Sequence, residues 1–164
     1  MLKKIFITSF IYSLLTISVF SAGSSGGDES AKIKSNYEKA VIHIKAAKKY
    51  EQKGKEEKAI KSYKKAQKLL IKSNSSKPNN ADTLNYLGFT TRKLGDFKSG
   101  EKYYLQGLAL EPEHIGINEY LGELYVATNR MDLAKERLTV LSKCNCEEYD
   151  ELKDIIEGIK NSKY

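Results

Sequence analysis

The segment from Ala81 to His114 constrains the fold most, because it predicts two short helices joined by a tight turn. Apolar and small residues recur at intervals of three and four on both sides of the dipeptide Gly95-Asp96. Glycine tolerates the left-handed conformation that ends many helices, and aspartate favours the position just before the next helix. Neither helix can bury its own apolar face, so this pair needs a neighbouring copy.

A second copy follows directly in the sequence. The pair Leu87-Gly88 recurs 34 residues later as Leu121-Gly122, and Asn129 takes the place of Gly95. This period, with its pattern of large and small residues, resembles the tetratricopeptide repeat (TPR) family. The residues of the first copy that match the family are Leu84, Leu87, Gly88, Gly95, Phe97, Tyr104 and Pro112. Gly100 and Gly107 depart from the family's alanines, and each should weaken its helix by about 1 kcal/mol.

The resemblance implies an all-α fold, a right-handed α-solenoid of about three helix hairpins with a C-terminal capping helix. The domain should span residues 36–160, with repeats at about 40–80, 81–114 and 115–148. An apolar stripe at the end of the chain predicts the capping helix at about 149–160. The stripe comprises Leu152, Ile155, Ile156 and Ile159.

The first repeat is longer than the others. Gly54 and Gly95 are separated by 41 residues, seven more than the repeat period. Because seven residues are close to two helical turns, an insertion of this length keeps the same face inward. We therefore predict that the second helix of this repeat is extended by two turns and ends near Ser75. A helix of normal length followed by a loop is the alternative.

The first 22 residues predict a secretory signal peptide. Lys3 and Lys4 precede a mixed apolar stretch at 5–20, and small residues follow. Cleavage after Ser21 and after Gly23 both fit the pattern, and an uncleaved anchor is the alternative. Residues 23–35 then form a flexible leader. We expect the chain to be exported, to the periplasm, or secreted if the host has one membrane.

The net charge of +7 is unevenly distributed along the chain. Residues 31–77 contain 15 lysines and 4 glutamates, whereas residues 78–164 contain more acids than bases. One interpretation is a solvated, lysine-rich surface on the first repeat. The other is a basic end that contacts anionic lipid or polymer, or an acidic end of another copy.

The titratable residues form no recognisable catalytic or cofactor site. His43 falls at a packing position of a helix and His114 at the turn between two repeats. Glu119 and Glu123 lie one turn apart, as acids commonly do on exposed helix faces. Since no phosphate loop, metal motif or catalytic triad is evident, we expect neither enzymatic activity nor a cofactor. The eleven tyrosines fit packing positions, and we expect no nucleic-acid partner.

Cys144 and Cys146 are separated by one residue, just before the capping helix. In an exported chain they can close a local disulfide, provided that their Cα atoms come within about 7 Å. Two packed thiols remain an alternative, as does a metal, redox or intermolecular role. Two thiolates alone make an incomplete zinc site.

The resemblance to TPR proteins implies that the first helices of the repeats line a concave groove that binds another protein or a peptide. Counting from Gly88 and Gly122, the groove-facing residues are expected to be Ile44, Lys48, Glu51, Asn85, Phe89, Arg92, Lys93, Glu119, Glu123 and Val126. The two glutamates would repel a C-terminal carboxylate, which one subgroup of the family binds. The sequence thus favours an exported adaptor or scaffold without catalysis. An envelope organiser with a basic docking end and a Cys-x-Cys redox or metal protein are the alternatives.

Overall fold

The computed structural model describes residues 34–160, and all regular secondary structure in that range is helical. The helices are α1 (Asn36–Glu51), α2 (Glu56–Ser76), α3 (Ala81–Lys93), α4 (Phe97–Leu110), α5 (Ile115–Ala127), α6 (Met131–Leu141) and α7 (Glu147–Ile156). The predicted signal peptide, residues 1–22, and most of the predicted leader lie outside the described residues. In the described part of the chain, none of the helices is both long enough and apolar enough to cross a bilayer.

Helices α1–α2, α3–α4 and α5–α6 pack as three successive hairpins. The hairpins are stacked through contacts of α2 with α3 and of α4 with α5, and α7 packs against α5 and α6. Leu87 and Leu121 are each the seventh residue of their helices, α3 and α5, and both are buried. Equivalent leucines therefore occupy equivalent places, which confirms the all-α solenoid of three hairpins with a C-terminal capping helix.

The turns inside the hairpins use the left-handed residues that the sequence predicts. Gly54, Gly95 and Asn129 have φ angles of +63°, +94° and +58°, and each lies between the two helices of a hairpin. Asp96 then caps α4, because its side chain accepts a hydrogen bond of 2.9 Å from the backbone N–H of Ser99. Asparagine thus replaces glycine in the third hairpin without a change of turn.

The extended second helix of the first hairpin is confirmed. Helix α2 has 21 residues and ends at Ser76, whereas its counterpart α4 has 14. The added two turns place Leu70 in the core, where it is completely buried. Ile71, the next residue, lies on the exposed side of the helix and adds nothing to the core.

The capping helix is shorter than predicted at its C-terminal end. Helix α7 begins at Glu147 and ends at Ile156, because Gly158 takes a φ of +73° just beyond it. Leu152 and Ile155 are buried as the stripe predicts. Ile159 follows the helix and is 68% exposed, so the prediction that it completes the stripe is wrong.

The glycines of α3 and α4 allow the two helices to approach closely. A β-carbon placed on Gly100 would lie 3.1 Å from the carbonyl oxygen of Gly88 and 3.2 Å from Cβ of Arg92. One placed on Gly107 would collide with Cδ1 of Ile117. These glycines therefore do more than weaken α4, since alanine would not fit here without movement of a neighbour.

Candidate functional site

A cavity of about 730 Å³ opens on the side of the solenoid formed by the first helices of the hairpins. Its walls come from α1, α3 and α5, together with the start of α2, the Gly95 turn and one residue of α7. The lining includes seven of the ten residues expected to face the groove, which are Lys48, Glu51, Phe89, Arg92, Lys93, Glu119 and Glu123.

Three of the residues expected in the groove lie elsewhere. Ile44 is buried in the core between the first two hairpins, because it is an apolar residue on the side of α1 that packs inward. Asn85 is buried where α3 meets α5, with its amide nitrogen against Gly116. Val126 packs against the core cluster between the second and third hairpins. The structure therefore corrects these three placements.

The floor of the cavity is aromatic. The ring centroids of Phe89 and Tyr120 are 5.0 Å apart, and Tyr63 meets Phe89 edge-on at 5.7 Å. The ammonium group of Lys48 lies 4.8 Å from the centre of the Phe89 ring and donates a hydrogen bond of 3.1 Å to the Tyr120 hydroxyl. Sequence reasoning missed Tyr63 and Tyr120, since both fit packing positions of the repeat.

Arg92 lies beneath this floor and is fully buried. Its guanidinium donates a hydrogen bond of 2.7 Å to the backbone carbonyl of Tyr120 and lies 3.3 Å from a carboxylate oxygen of Glu123. The rings of Phe89 and Tyr120 flank it, with centroids 5.7 Å and 5.6 Å from its central carbon. Arg92 thus joins α3 to α5 and shapes the cavity from below.

Three carboxylates meet at one wall of the cavity. Oxygens of Glu119 and Glu123, on α5, and of Glu151, on α7, lie within 4.8 Å of one another. Burial, the charge of Glu123 and a hydrogen bond with Glu151 raise the pKa of Glu119 to about 9. Glu119 is therefore protonated at neutral pH, and it shares its proton with a neighbouring carboxylate.

The expectation that Glu119 and Glu123 lie on an exposed helix face is wrong. Their exposed fractions are 5% and 2%, because α5 is covered by α3 on one side and by α7 on the other. Glu151 was missed altogether, since the sequence suggests only a capping role for α7. Three acids in the first turn of α7 fit the helix dipole, and Glu151, directly after them, reads from sequence as one more surface acid.

The carboxylate cluster has the oxygen ligands that Mg²⁺ or Ca²⁺ prefers. Its chemistry is nevertheless that of an ion pair, because the Arg92 guanidinium already supplies a cation to Glu123. The proton held by Glu119 further reduces the negative charge. Cation binding would have to displace this proton, and we derive no metal site here.

The rim of the cavity beside α1 and α3 carries a second charged group. Lys93 forms an ion pair of 2.7 Å with one oxygen of Glu51, and the Tyr63 hydroxyl donates a hydrogen bond of 2.8 Å to the other. Burial and the interaction with Glu51 raise the pKa of Tyr63, so its hydroxyl remains a donor. Gln52 adds an exposed amide to the same rim.

The histidines lie outside this cavity. His43 is half-buried on α1, as its packing position predicts. His114 caps α5, because its Nδ1 accepts a hydrogen bond of 3.2 Å from the backbone N–H of Ile117, and its Nε2 lies 3.3 Å from Asp82. Its side chain is largely covered, so His114 has a defined capping role instead of a purely surface one.

Cys144 and Cys146 form a disulfide in the loop between α6 and α7. Their Cα atoms are 5.2 Å apart, and Asn145 between them adopts a left-handed φ of +47°. Of the three uses left open by the sequence, this geometry corresponds to the local disulfide. Paired sulfurs offer no thiolate as a metal ligand.

Together, the hairpins and the cavity define a class of protein, an all-α solenoid of stacked helix hairpins with a cavity on the side of its first helices. Residues 41–69, which include most of α1 and much of α2, match the family model described as tetratricopeptide repeat. This part of the chain is therefore similar to a tetratricopeptide repeat. The match falls on the first hairpin, whereas the unit at 81–114 carries more of the family's typical residues.

Two solved structures have a similar fold. The first TPR of Spaghetti (RPAP3), bound to the HSP90 peptide SRMEEVD, has a TM-score of 0.53 and 22% identity, covering 77% of this chain and 98% of that one. The Yersinia enterocolitica type III secretion translocator chaperone SycD has a TM-score of 0.51 and 16% identity, covering 73% of this chain and 79% of SycD. At these identities the likeness concerns the fold alone.

A curated relative is similar over a shorter stretch. The Sol locus transcriptional repressor of Clostridium acetobutylicum is 35% identical over 71 residues, which correspond to 43% of this chain. The aligned stretch spans only 22% of the repressor's length. The similarity therefore concerns a part of that protein.

Proposed function

We propose that this protein is an exported scaffold that binds an extended peptide, or an extended segment of another protein, in the cavity. The observation that carries the proposal is an aromatic floor beneath a charged rim, all on the first-helix side of the solenoid. Phe89 and Tyr120 offer apolar contact, while Lys48, Gln52 and Lys93 can position a polar backbone. The peptide-bound TPR of Spaghetti and the chaperone SycD support an interaction role for this fold.

The charges of the cavity limit the ligands that suit it. The peptide bound by Spaghetti, SRMEEVD, is acidic toward its end. Here the wall of Glu119, Glu123 and Glu151 holds one proton and one carboxylate paired with Arg92, so it retains negative charge and offers no free cation to a carboxylate placed against it. The cavity therefore favours a segment that presents a neutral or positively charged group to this wall and an apolar side chain to the floor.

A test of the cavity needs substitutions at its rim. Arg92 and Phe89 are buried, so truncating either would disturb the fold together with the surface. Lys48→Ala with Gln52→Ala removes two rim side chains four residues apart. Lys102→Ala with Gln106→Ala is a matched control, because it removes the same residue types at the same spacing from the exposed face of α4.

The measurement is binding of peptides selected against the wild-type protein from a displayed library of random linear peptides. Selected peptides should bind the α4 control as tightly as the wild type and should bind the rim variant at least about tenfold more weakly, which corresponds to roughly 1.4 kcal/mol. Equal binding to all three proteins would show that the selected peptides use another surface. Failure to select any peptide above background would count against a peptide ligand.

The exported location has its own support and its own test. A disulfide between Cys144 and Cys146 suits an oxidising compartment. Expressed in its host, the mature protein should begin after Ser21 or Gly23, as N-terminal sequencing of fractionated cells would reveal. Recovery of the intact chain from the cytoplasm, with its cysteines alkylatable, would contradict export.

A further inference from the structure

Helix α2 carries a lysine face on the side opposite its buried residues. The face consists of Lys58, Lys61, Lys64, Lys65, Lys68 and Lys72, all of which are exposed. At about 100° per residue they fall within roughly one third of the helix circumference, and at about 1.5 Å per residue they extend over about 21 Å. We propose that this lysine face docks the protein on an anionic lipid membrane.

The charges of the lysine face are not neutralised within the described chain. None of the six lysines takes part in an ion pair formed among residues 34–160. Glu57 is an acid within the N-terminal end of this face, one turn before Lys61, so the face has a surplus of positive charge but not an unbroken one. Glu56 lines the cavity instead. A row of uncompensated ammonium groups attracts a surface of opposite charge and loses attraction as salt is added.

The side chains along this face favour a membrane over a nucleic acid. The basic side chains of the face are all lysines, without the arginine forks that read bases or the aromatic rings that stack on them. A flexible ammonium group requires no defined partner geometry, so it suits a fluid layer of lipid phosphates. The uncommon length of α2 contributes Lys72, which lies in its two additional turns.

Two exposed isoleucines border the lysine face on one side. Ile60 and Ile71 are 44% and 48% exposed and are separated by three helical turns, so they project in nearly the same direction. Apolar side chains beside a basic helix face can enter the boundary between headgroups and acyl chains. Soluble polyanions offer no equivalent environment, which gives a way to separate the two kinds of partner.

The test measures cosedimentation of the chain without the predicted signal peptide, residues 1–22, with phosphatidylcholine vesicles, with and without phosphatidylglycerol, at physiological salt. The variant Lys61→Gln/Lys65→Gln/Lys68→Gln removes three charges from the lysine face. Its control, Lys98→Gln/Lys102→Gln/Lys135→Gln, removes three exposed charges from α4 and α6. Helix α2 packs against α1 and α3, so the control sites lie on other helices. Both variants have the same net charge, and circular dichroism verifies that both are helical.

Wild type should bind the anionic vesicles and not the neutral ones. The lysine-face variant should bind them on the order of 100-fold more weakly, because each lysine near an anionic membrane strengthens binding severalfold. The control should change by less than about threefold, since distant charges are screened at this salt. Equal binding to both kinds of vesicle, or equal losses in the two variants, would overturn the proposal.

A third variant separates lipid from other polyanions. Ile71→Ser leaves the cavity lining unchanged and should weaken binding to anionic vesicles severalfold. It should not alter the binding of a DNA duplex, which offers no acyl layer. If wild type binds the duplex more tightly than the vesicles, and Ile71→Ser changes neither, the lysine face serves a soluble polyanion and the membrane proposal fails.

Discussion

The guanidinium of Arg92 lies 3.3 Å from a carboxylate oxygen of Glu123, and the two side chains are 0% and 3% exposed. They belong to neighbouring hairpins, so this ion pair joins α3 to α5 under the cavity. Removing one member of such a pair leaves the other charged and buried, which is costly.

We predict that Arg92→Ala lowers the free energy of unfolding by about 3–5 kcal/mol in urea denaturation. The double variant Arg92→Met/Glu123→Leu should recover much of this loss, because it leaves no isolated charge. If the double variant is as unstable as the sum of the single ones, the two residues do not act as a pair.

Glu119 should make the stability of the protein depend on pH in an unusual direction. The folded state holds its carboxyl proton up to pH about 9, whereas the unfolded chain releases it near the ordinary value of 4.5. The folded state therefore binds more protons than the unfolded state over this interval. Its contribution to the free energy of unfolding decreases as pH rises, by up to about 1.4 kcal/mol per unit.

Glu119→Gln should remove much of this dependence, since glutamine resembles the protonated carboxyl but does not titrate. At pH 8 the variant should be at least as stable as the wild type in chemical denaturation. Glu136→Gln on the exposed face of α6 is the control and should leave the pH profile unchanged. A wild-type profile that does not decline between pH 5 and 9, relative to Glu119→Gln, would contradict the shared-proton arrangement.

Gly88 should not tolerate alanine, although alanine favours helices by about 1 kcal/mol. A β-carbon there would lie 2.5 Å from Cε1 of Tyr104, whose ring is completely buried. We expect Gly88→Ala to destabilise the protein by about 1–3 kcal/mol in thermal unfolding. Thr139→Ala, on an exposed position of α6, should change stability by less than about 0.5 kcal/mol. A stabilised Gly88→Ala protein would mean that α3 and α4 can separate easily.

The Cys144–Cys146 disulfide should contribute little to stability. It closes a loop of only three residues. By reducing the entropy of the unfolded chain, it therefore adds at most about 2 kcal/mol to the free energy of unfolding. We expect Cys144→Ser/Cys146→Ser to unfold within a few degrees of the oxidised wild type. Alkylation followed by intact-mass measurement should verify that the wild type is oxidised. A large loss of stability would indicate that the bond fixes α7 against α5 and α6.

Much of the backbone could be predicted from the sequence, because it depends on local rules. Gly95 and Asn129 specify turns through their own conformational preferences, and the two additional turns of α2 follow from the spacing of Gly54 and Gly95. The length of α7 was predicted less well, since Gly158 ends it before the apolar stripe is complete.

The cavity was harder to predict, because its composition depends on partners distant in sequence. Arg92 and Glu123 are 31 residues apart in the sequence. Each charge can be buried because the other lies beside it in the fold, and the sequence does not show that proximity. Glu151 comes from a helix for which the sequence suggested a capping role alone. Ile44 carried a usable signal, because its spacing of four from Ala40 and three from Ala47 indicates the buried face of α1 instead of the groove.

Arg92 also determines which parts of the cavity are free to diversify. Its hydrogen bond to the Tyr120 carbonyl and its ion pair with Glu123 both position residues of the cavity and stabilise the fold. Substitutions at Lys48 or Gln52 can therefore change the preferred ligand among related chains without unfolding the protein. A single substitution at Arg92 would destabilise the fold before any new ligand preference could be selected.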